Sequence, residues 1–302
     1  MEAEQAVALV KSGATLCISG SGGGHAVPEL LIKTLAERFR RTGEPRDLTL
    51  VHAVGIGDWD KQGVSHLAQE GLLKRSITSN YGNGPLVGRL ALEEKIEAYS
   101  FPQGVLSQLY REISAHRPGL VTHVGLGTFV DPRYGGGKVN RRTQEDLVEL
   151  VTLGGKEWLF YKAFPIDVAF IRGTTADEAG NITMEQEAFF GEVFSIAAAA
   201  HNSGGIVIAQ VKQLAKRGTL PAKQVKVPGV LVDAIVLDPH QLQTYLTSYS
   251  PGYAGEIKQP VTTLPRLPLD ARKIIARRAS LELFPGAIVN LGFGIANGIA
   301  LV

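Results

Sequence analysis

The stretch that most constrains this chain is a short apolar run that breaks into glycines and restarts as a helix. Thr15–Ile18 is followed by Ser19-Gly20-Ser21-Gly22-Gly23-Gly24, and after Pro28 apolar residues recur at Leu30, Leu31, Leu35 and Phe39. A four-residue apolar run bounded by turn formers reads as a buried strand, and proline suits a first helical turn. Strand, glycine turn and helix in that order let backbone N–H groups approach an anion or a carbonyl oxygen at the positive end of the helix dipole. The pattern returns near residue 290: Gly13-Ala14 matches Gly286-Ala287, and a one-residue slip sets Gly20 and Gly22 on Gly292 and Gly294. The repeat predicts a first domain over 1–238 and the start of a second over 269–302. Between them, 239–268 is rich in Pro, Gly, Thr, Ser and Tyr and is expected to be a connection at the surface.

The chain between the two glycine units repeats one rhythm. Strand-like runs at 47–54, 76–80 and 96–100 end in Gly55-Ile-Gly57, Tyr81-Gly-Asn-Gly84-Pro85 and Phe101-Pro102-Gln103-Gly104, and helical patterns follow at 66–73, 86–95 and 105–116. Further strands are expected at 157–163, 168–173, 206–211 and 231–237, helices at 189–201 and 269–284, and a tight turn at Asp177 to Asn181. Strands alternating with helices predict an α/β fold with a mostly parallel sheet flanked by helices on both faces. Ligands would then sit at the carboxyl ends of the strands.

Composition narrows the function. A net charge of +2 with interspersed signs gives no electrostatic case for nucleic acid or a membrane surface. No window of 18 apolar residues appears, and the acidic start Met-Glu-Ala-Glu-Gln is not a signal peptide. Cys17 is the only cysteine, so no internal disulfide or thiolate cluster is available; mid-strand, it reads as a small core residue in a protein of the cytoplasm. The histidines show no metal-ligand spacing, and no metal is expected. The glycine loop lacks the dinucleotide fingerprint, since His25 stands where its third glycine belongs and Asp47 begins the second strand. A nucleotide-dependent oxidoreductase therefore stays open as a second reading, which a nicotinamide titration separates. Gln103 either caps its own loop or offers its carboxamide to a carbonyl oxygen, as an oxyanion donor does. Gly104 adjoins it, and Gly125-Leu126-Gly127 offers backbone amides at a comparable position. Asp131, Arg133 and Lys138 beyond them form salt bridges, meet an anionic substrate, or lie in a solvated loop, the default reading.

Several of these segments resemble the family I coenzyme A transferases, in particular the single-chain transferases for short-chain acyl groups. They are the glycine loop at 19–24, Phe101-Pro-Gln-Gly-Val105, Thr122-His-Val-Gly-Leu-Gly-Thr-Phe-Val-Asp-Pro-Arg133, Ala169-Phe-Ile-Arg-Gly-Thr-Thr175, Gly180-Asn181, His201-Asn-Ser-Gly-Gly205 and the run from Asn290 to Gly298. The resemblance covers essentially the whole chain. It implies two similar α/β domains with the active site between them, and homo-oligomers. It also implies coenzyme A as a substrate rather than a tightly bound cofactor, and short-chain carboxylates as partners in the exchange. A glutamate of the second domain would attack the acyl-CoA and carry CoA as a thioester, reached through acyl anhydrides. Gln103 matches the donor that holds the carbonyl oxygen, with Gly22, Gly23, Gly24, Gly104, Gly125, Leu126 and Gly127 lining the acyl pocket.

The sequence departs from the family at its far end. The family's nucleophile follows the second glycine unit in a Glu-x-Gly-like motif, and residues 1–302 contain no match. Glu185 and Glu187 lie in the first domain and match nothing catalytic. The chain is therefore expected to be inactive alone, its second domain supplied in the same chain or as a separate fragment. A non-catalytic acyl-CoA-binding or assembly module is the further alternative.

Overall fold

The computed structural model describes residues 1–292 and 294–302; Phe293, in the second glycine unit, lies outside the described residues. The chain divides into two compact units, Met1–Ala254 and Gly255–Val302.

In the first unit, α1 (Ala3–Val7), β1 (Thr15–Ile18), α2 (Glu29–Thr42), β2 (Leu48–His52), β3 (Leu73–Thr78), α3 (Pro85–Leu92), β4 (Glu97–Ser100) and α4 (Gln103–Ser114) follow in order. Then come β5 (Gly119–Thr122), β6 (Val148–Leu153), β7 (Lys156–Lys162), β8 (Val168–Asp177), β9 (Ile182–Thr183) and α5 (Val193–Asn202). The unit closes with β10 (Ile206–Ala215), β11 (Val225–Val227), β12 (Ala234–Leu237) and α6 (Pro251–Ala254). The main sheet has nine strands, and β1 is its pivot. On one side β1 pairs in parallel with β2, then β3 and β4; on the other it pairs in parallel with β8, then β10 and β12. The β8–β9 hairpin turns at Asp177 to Asn181, where the Asp177 carboxylate accepts from the Ala179 and Asn181 N–H groups.

Alternation along β1 sorts the core into two layers. Leu16 and Ile18 face α2 through Leu31, Ile32 and Leu35, while Cys17 faces α4 and α5 through Leu109, Tyr110 and Ala199. All ten residues of β8 are buried, as expected of a strand covered on both faces. The fold is thus the α/β architecture expected from the sequence, a mostly parallel sheet with helices on both sides.

Four differences have physical causes. Residues 66–73 are not a helix: one 3-10 turn, Gly63–Leu67, leads through Gly71 at φ +87° into β3, and Leu72 and Leu73 are buried as the strand enters. A second, three-stranded antiparallel sheet, β5-β7-β6, packs Leu120 and Tyr161 onto the α4 layer; only its β7 stood out in the sequence. The run 239–268 is not wholly at the surface, because Gln241, Gln243 and Thr244 are buried within the first unit, which extends to Ala254. In the second unit, α7 (Ala271–Ser280) is capped by the Asp270 carboxylate accepting from Lys273 N–H at 3.0 Å. Residues 286–292 of that unit form no strand, and Ile288 is fully exposed. A strand is made by its neighbours, and among the described residues of this unit none flanks the run.

Candidate active site

The strands running out from β1 in opposite directions make it a topological switch point, the place where α/β sheets open a crevice beyond the strand ends. The loops after β1, β2 and β3 meet there. Gly22–Gly24 forms a tight turn kinked at Gly23, with Gly23 and Gly24 at φ +79° and +87°, a region open mainly to glycine. Gly23 N–H donates to the Gly57 carbonyl at 3.2 Å and Gly24 N–H to that of Ser21 at 3.3 Å. A Cβ on Gly22 would lie 2.5 Å from Asn83 Nδ2, one on Gly55 2.4 Å from Asn83 Oδ1, and one on Gly57 2.1 Å from the Asn83 carbonyl. These glycines leave the room in which Asn83 sits, half-buried.

A buried ion pair holds the back of the glycine turn. Arg172, on β8, donates from Nε and Nη2 to Glu187 at 2.9 and 2.7 Å, and both side chains are nearly inaccessible. Its Nη1 donates to the Val27 and Gly24 carbonyls at 3.0 and 3.3 Å, and Nη2 to that of Gln243 at 3.1 Å. The network extends through Gln241 Nε2 to Glu187 at 3.1 Å, and through Gln210 Nε2 to Gln241 Oε1 at 2.9 Å. It ends at the first turn of α2, where Leu30 N–H donates to Gln210 Oε1 at 3.0 Å. Segment 241–245 is thus a strap over the turn: Tyr245 N–H donates to the Gly23 carbonyl at 2.9 Å, and the Tyr245 ring fills the space a Gly24 side chain would need. A cavity of about 210 Å³ lies beside the strap, lined by Gly24, Lys33, Arg172, His240 and Tyr245 among others.

The remaining candidate residues stand at the other end of this edge. Gln103 is the first residue of α4, directly beyond β4, and both Gln103 and Gly104 are exposed. The Gln103 carboxamide has no hydrogen-bond partner among the described residues. Phe101 meets Tyr161 edge-on at 5.5 Å, and the Tyr161 hydroxyl donates to the Val124 carbonyl at 2.8 Å. This contact brings the loop carrying Gly125, Leu126 and Gly127 against the end of β4. A Cβ on Gly125 would lie 2.6 Å from the Tyr161 hydroxyl, whereas Gly104 and Gly127 have open space around them. The structure therefore groups Gln103 and Gly104 with Gly125, Leu126 and Gly127, and separately groups Gly22, Gly23 and Gly24 with Asn83. Gly22 to Gly24 follow β1 and Gln103 follows β4, with β2 and β3 between them, and Asn83, on the loop after β3, stands between the two groups.

Electrostatics distinguishes groups that can act from groups that cannot. The fully buried Asp131 carboxylate accepts from the Arg133 guanidinium at 2.7 Å and from Gly127 N–H at 3.0 Å, which hold its pKa well below the carboxylate range. Arg133 is thereby paired with Asp131 and Glu157, and Lys138 with Asp146. Burial pushes the Cys17 thiol up to about 12, so it is a core residue and no nucleophile. Burial also lowers His52 to about 4, its Nδ1 lying 2.7 Å from the Val54 carbonyl. His25, beside the glycine turn, is lowered by burial and then by the nearby Arg172 charge. Among the described residues, no three His, Cys, Asp or Glu side chains gather to hold a metal, and no helix is long and apolar enough to cross a membrane.

Arg172, Tyr245, Gln241 and Asn83 received no role from sequence reasoning. For Arg172 the signal was an arginine inside an otherwise apolar strand. For Asn83 it was an asparagine between two glycines at a strand end.

Comparison with known proteins agrees with this architecture. The chain is 45% identical over 303 residues to acetate CoA-transferase YdiF of Escherichia coli, a match covering all of this chain and 57% of that protein. It is 45% identical over 305 residues to caffeate CoA-transferase of Acetobacterium woodii, covering all of this chain and 58% of that protein. The crystal structure of E. coli acyl-CoA transferase (YdiF) as a thioester complex with CoA superposes with a TM-score of 0.94 at 44% identity, over 99% of this chain and 57% of that one. The chain thus spans little more than half the length of these relatives. Residues 1–238 match the family described as coenzyme A transferase, and the chain belongs to that family.

Proposed function

We propose that this chain forms the carbonyl-holding part of an enzyme that moves CoA between a short-chain acyl-CoA and a carboxylic acid. The observation carrying this reading is the meeting of the loops after β1, β2 and β3 at the switch strand, where Gly22, Gly55 and Gly57 leave room for the Asn83 carboxamide. The names of its relatives, acetate and caffeate CoA-transferase, support the same reaction class. Such exchange proceeds by attack of a carboxylate on the thioester, and oxygens that gain charge must be held by fixed donors. Gln103 supplies one such donor. Gly22, Gly23, Gly24, Gly104, Gly125, Leu126 and Gly127 line an extended path for the acyl thioester. Coenzyme A is a substrate here, exchanged among short-chain acids of the kind used in fatty-acid and ketone-body metabolism. The enzyme works in the cytoplasm as a homo-oligomer.

The nucleophilic glutamate belongs to a second domain, by resemblance to the family. Within residues 1–302 the two acids that invite the role are engaged elsewhere: Glu187 by Arg172, and Glu185 by the Thr175 hydroxyl. Residues 1–302 assayed alone are therefore expected to exchange no CoA between acetyl-CoA and labelled propionate, and robust exchange would remove this part of the reading. In the complete gene product, Gln103→Ala is expected to lower turnover by about 10²-fold, the effect of losing one oxyanion donor. An unchanged rate would release Gln103 from the role. Acyl-CoA bound without any covalent adduct by the complete gene product would favour a binding module instead.

A further inference from the structure

The glycine turn and Asn83 together present a pair of donors; the family resemblance makes Gly22 a pocket-lining residue only and gives Asn83 no role. Within the turn, the Ser21 carbonyl accepts from Gly24 N–H, so it points inward. Across the same trans peptide, Gly22 N–H points the opposite way, out of the turn. It has no acceptor among the described residues, unlike Gly23 N–H on Gly57 and Gly24 N–H on Ser21. Asn83 Nδ2 stands beside the same residue, 2.5 Å from where a Gly22 Cβ would be. The Asn83 carboxamide is half-buried and also lacks a hydrogen-bond partner among the described residues. A partly desolvated amide without a partner is costly to leave unmatched, and two adjacent unmatched N–H donors suit one oxygen atom. The alternative amide, Gly127 N–H, is engaged by Asp131.

We propose that Asn83 Nδ2 and Gly22 N–H form a two-donor site for a carbonyl or carboxylate oxygen of the acyl part of the substrate. The inference rests on the transferase reading above and adds to it the residue that grips the acyl oxygen at the switch strand. Arg172 and Tyr245 act on this site from behind. By holding the Gly23, Gly24 and Val27 carbonyls, they fix the turn whose outward amide is Gly22 N–H.

The test uses the complete gene product with acetyl-CoA carrying a ¹³C label at the acyl carbonyl. Infrared difference spectra read the carbonyl stretch of bound ligand, and exchange kinetics read the KM for the acceptor acid. In the wild type the stretch is expected below its solution value; in Asn83→Ala it returns toward that value, and the acceptor KM rises about tenfold, the loss of one hydrogen bond. Asn83→Asp keeps the shape but sets a carboxylate against the substrate oxygen, so it should raise the KM further while melting at the wild-type temperature. It also carries the test if the alanine variant fails to fold. A stretch and an acceptor KM unchanged in both variants overturn the proposal. So does a stretch that moves with Gln103→Ala and not with Asn83→Ala. A wild type that binds the label but exchanges no CoA refutes the transferase reading instead, and the stretch still decides whether Asn83 grips the oxygen.

Discussion

At Gly127 the backbone N–H that a loop could offer a ligand already points at Asp131, which is why a Gly-Leu-Gly sequence alone says little about binding. Motif spacing reveals which backbone is free to bend, not where its hydrogen bonds go. The same reasoning explains Glu187, which looks like one more acid in a polar run until Arg172 is seen against it in the core. Cys17 was legible as a core residue because it lies in the middle of an apolar strand, and both faces of that strand are covered. His52 was not, since its depressed pKa comes from burial at a strand end that no local pattern marks. It carries a pH prediction. Its folded pKa of about 4 lies below the unfolded value near 6.5, so the unfolded chain binds the extra proton between these limits. Stability from neutral His52 is therefore complete above about pH 6.5 and declines as pH falls toward 4, by on the order of 3 kcal/mol. Urea midpoints at pH 7 and pH 5 should show the fall in the wild type, and a smaller one in His52→Gln; equal slopes would remove His52 as the cause.

Elements were readable where their hydrophobic period was long. Helices α2 and α4 and strands β1, β8 and β10 lie where apolar spacing puts them. The failures share a cause in tertiary context. Residues 66–73 have a helix-like apolar face, but Gly71 and the pull of Leu73 into the sheet decide against a helix. The edge strand β5 is only four residues long, and in β6 the apolar residues Val148, Leu150, Val151 and Leu153 break strict alternation, with Leu150 and Leu153 exposed, so their pairing with β7 leaves a weak trace in sequence. The strap at 241–245 is polar, yet it is buried because its amides are consumed by Arg172, Glu187 and Gln210. Removing one partner of that network should be severe. Arg172→Met leaves Glu187 charged and unpaired in the interior, and is expected to lower stability by about 3–5 kcal/mol in urea titration. The double variant Arg172→Met with Glu187→Leu should regain much of it, with the glycine turn nonetheless loosened. If the single variant melts like the wild type, the ion pair does not hold this part of the fold.

For the whole molecule, fold class was the most accessible level, because a repeated strand–loop–helix rhythm admits few arrangements. What sequence could not show was that the arms of the sheet leave β1 in opposite directions, since strand order depends on pairings between distant segments. That order has a consequence for synthesis. Leu16 aligns with Leu50 on one edge of β1 and with Val168 on the other. At typical translation speeds the second neighbour is made roughly 8–30 s after the first strand, and through that interval β1 has one bare edge in a sheet that will later be wholly covered. Stalled nascent chains that stop before β8 should be cut readily by protease across β1, and those extending past β10 should resist. Early resistance would mean that the β1–β4 arm folds on its own. The central strand is thus among the first made and the last enclosed, and chaperone demand during translation should be greatest while it waits.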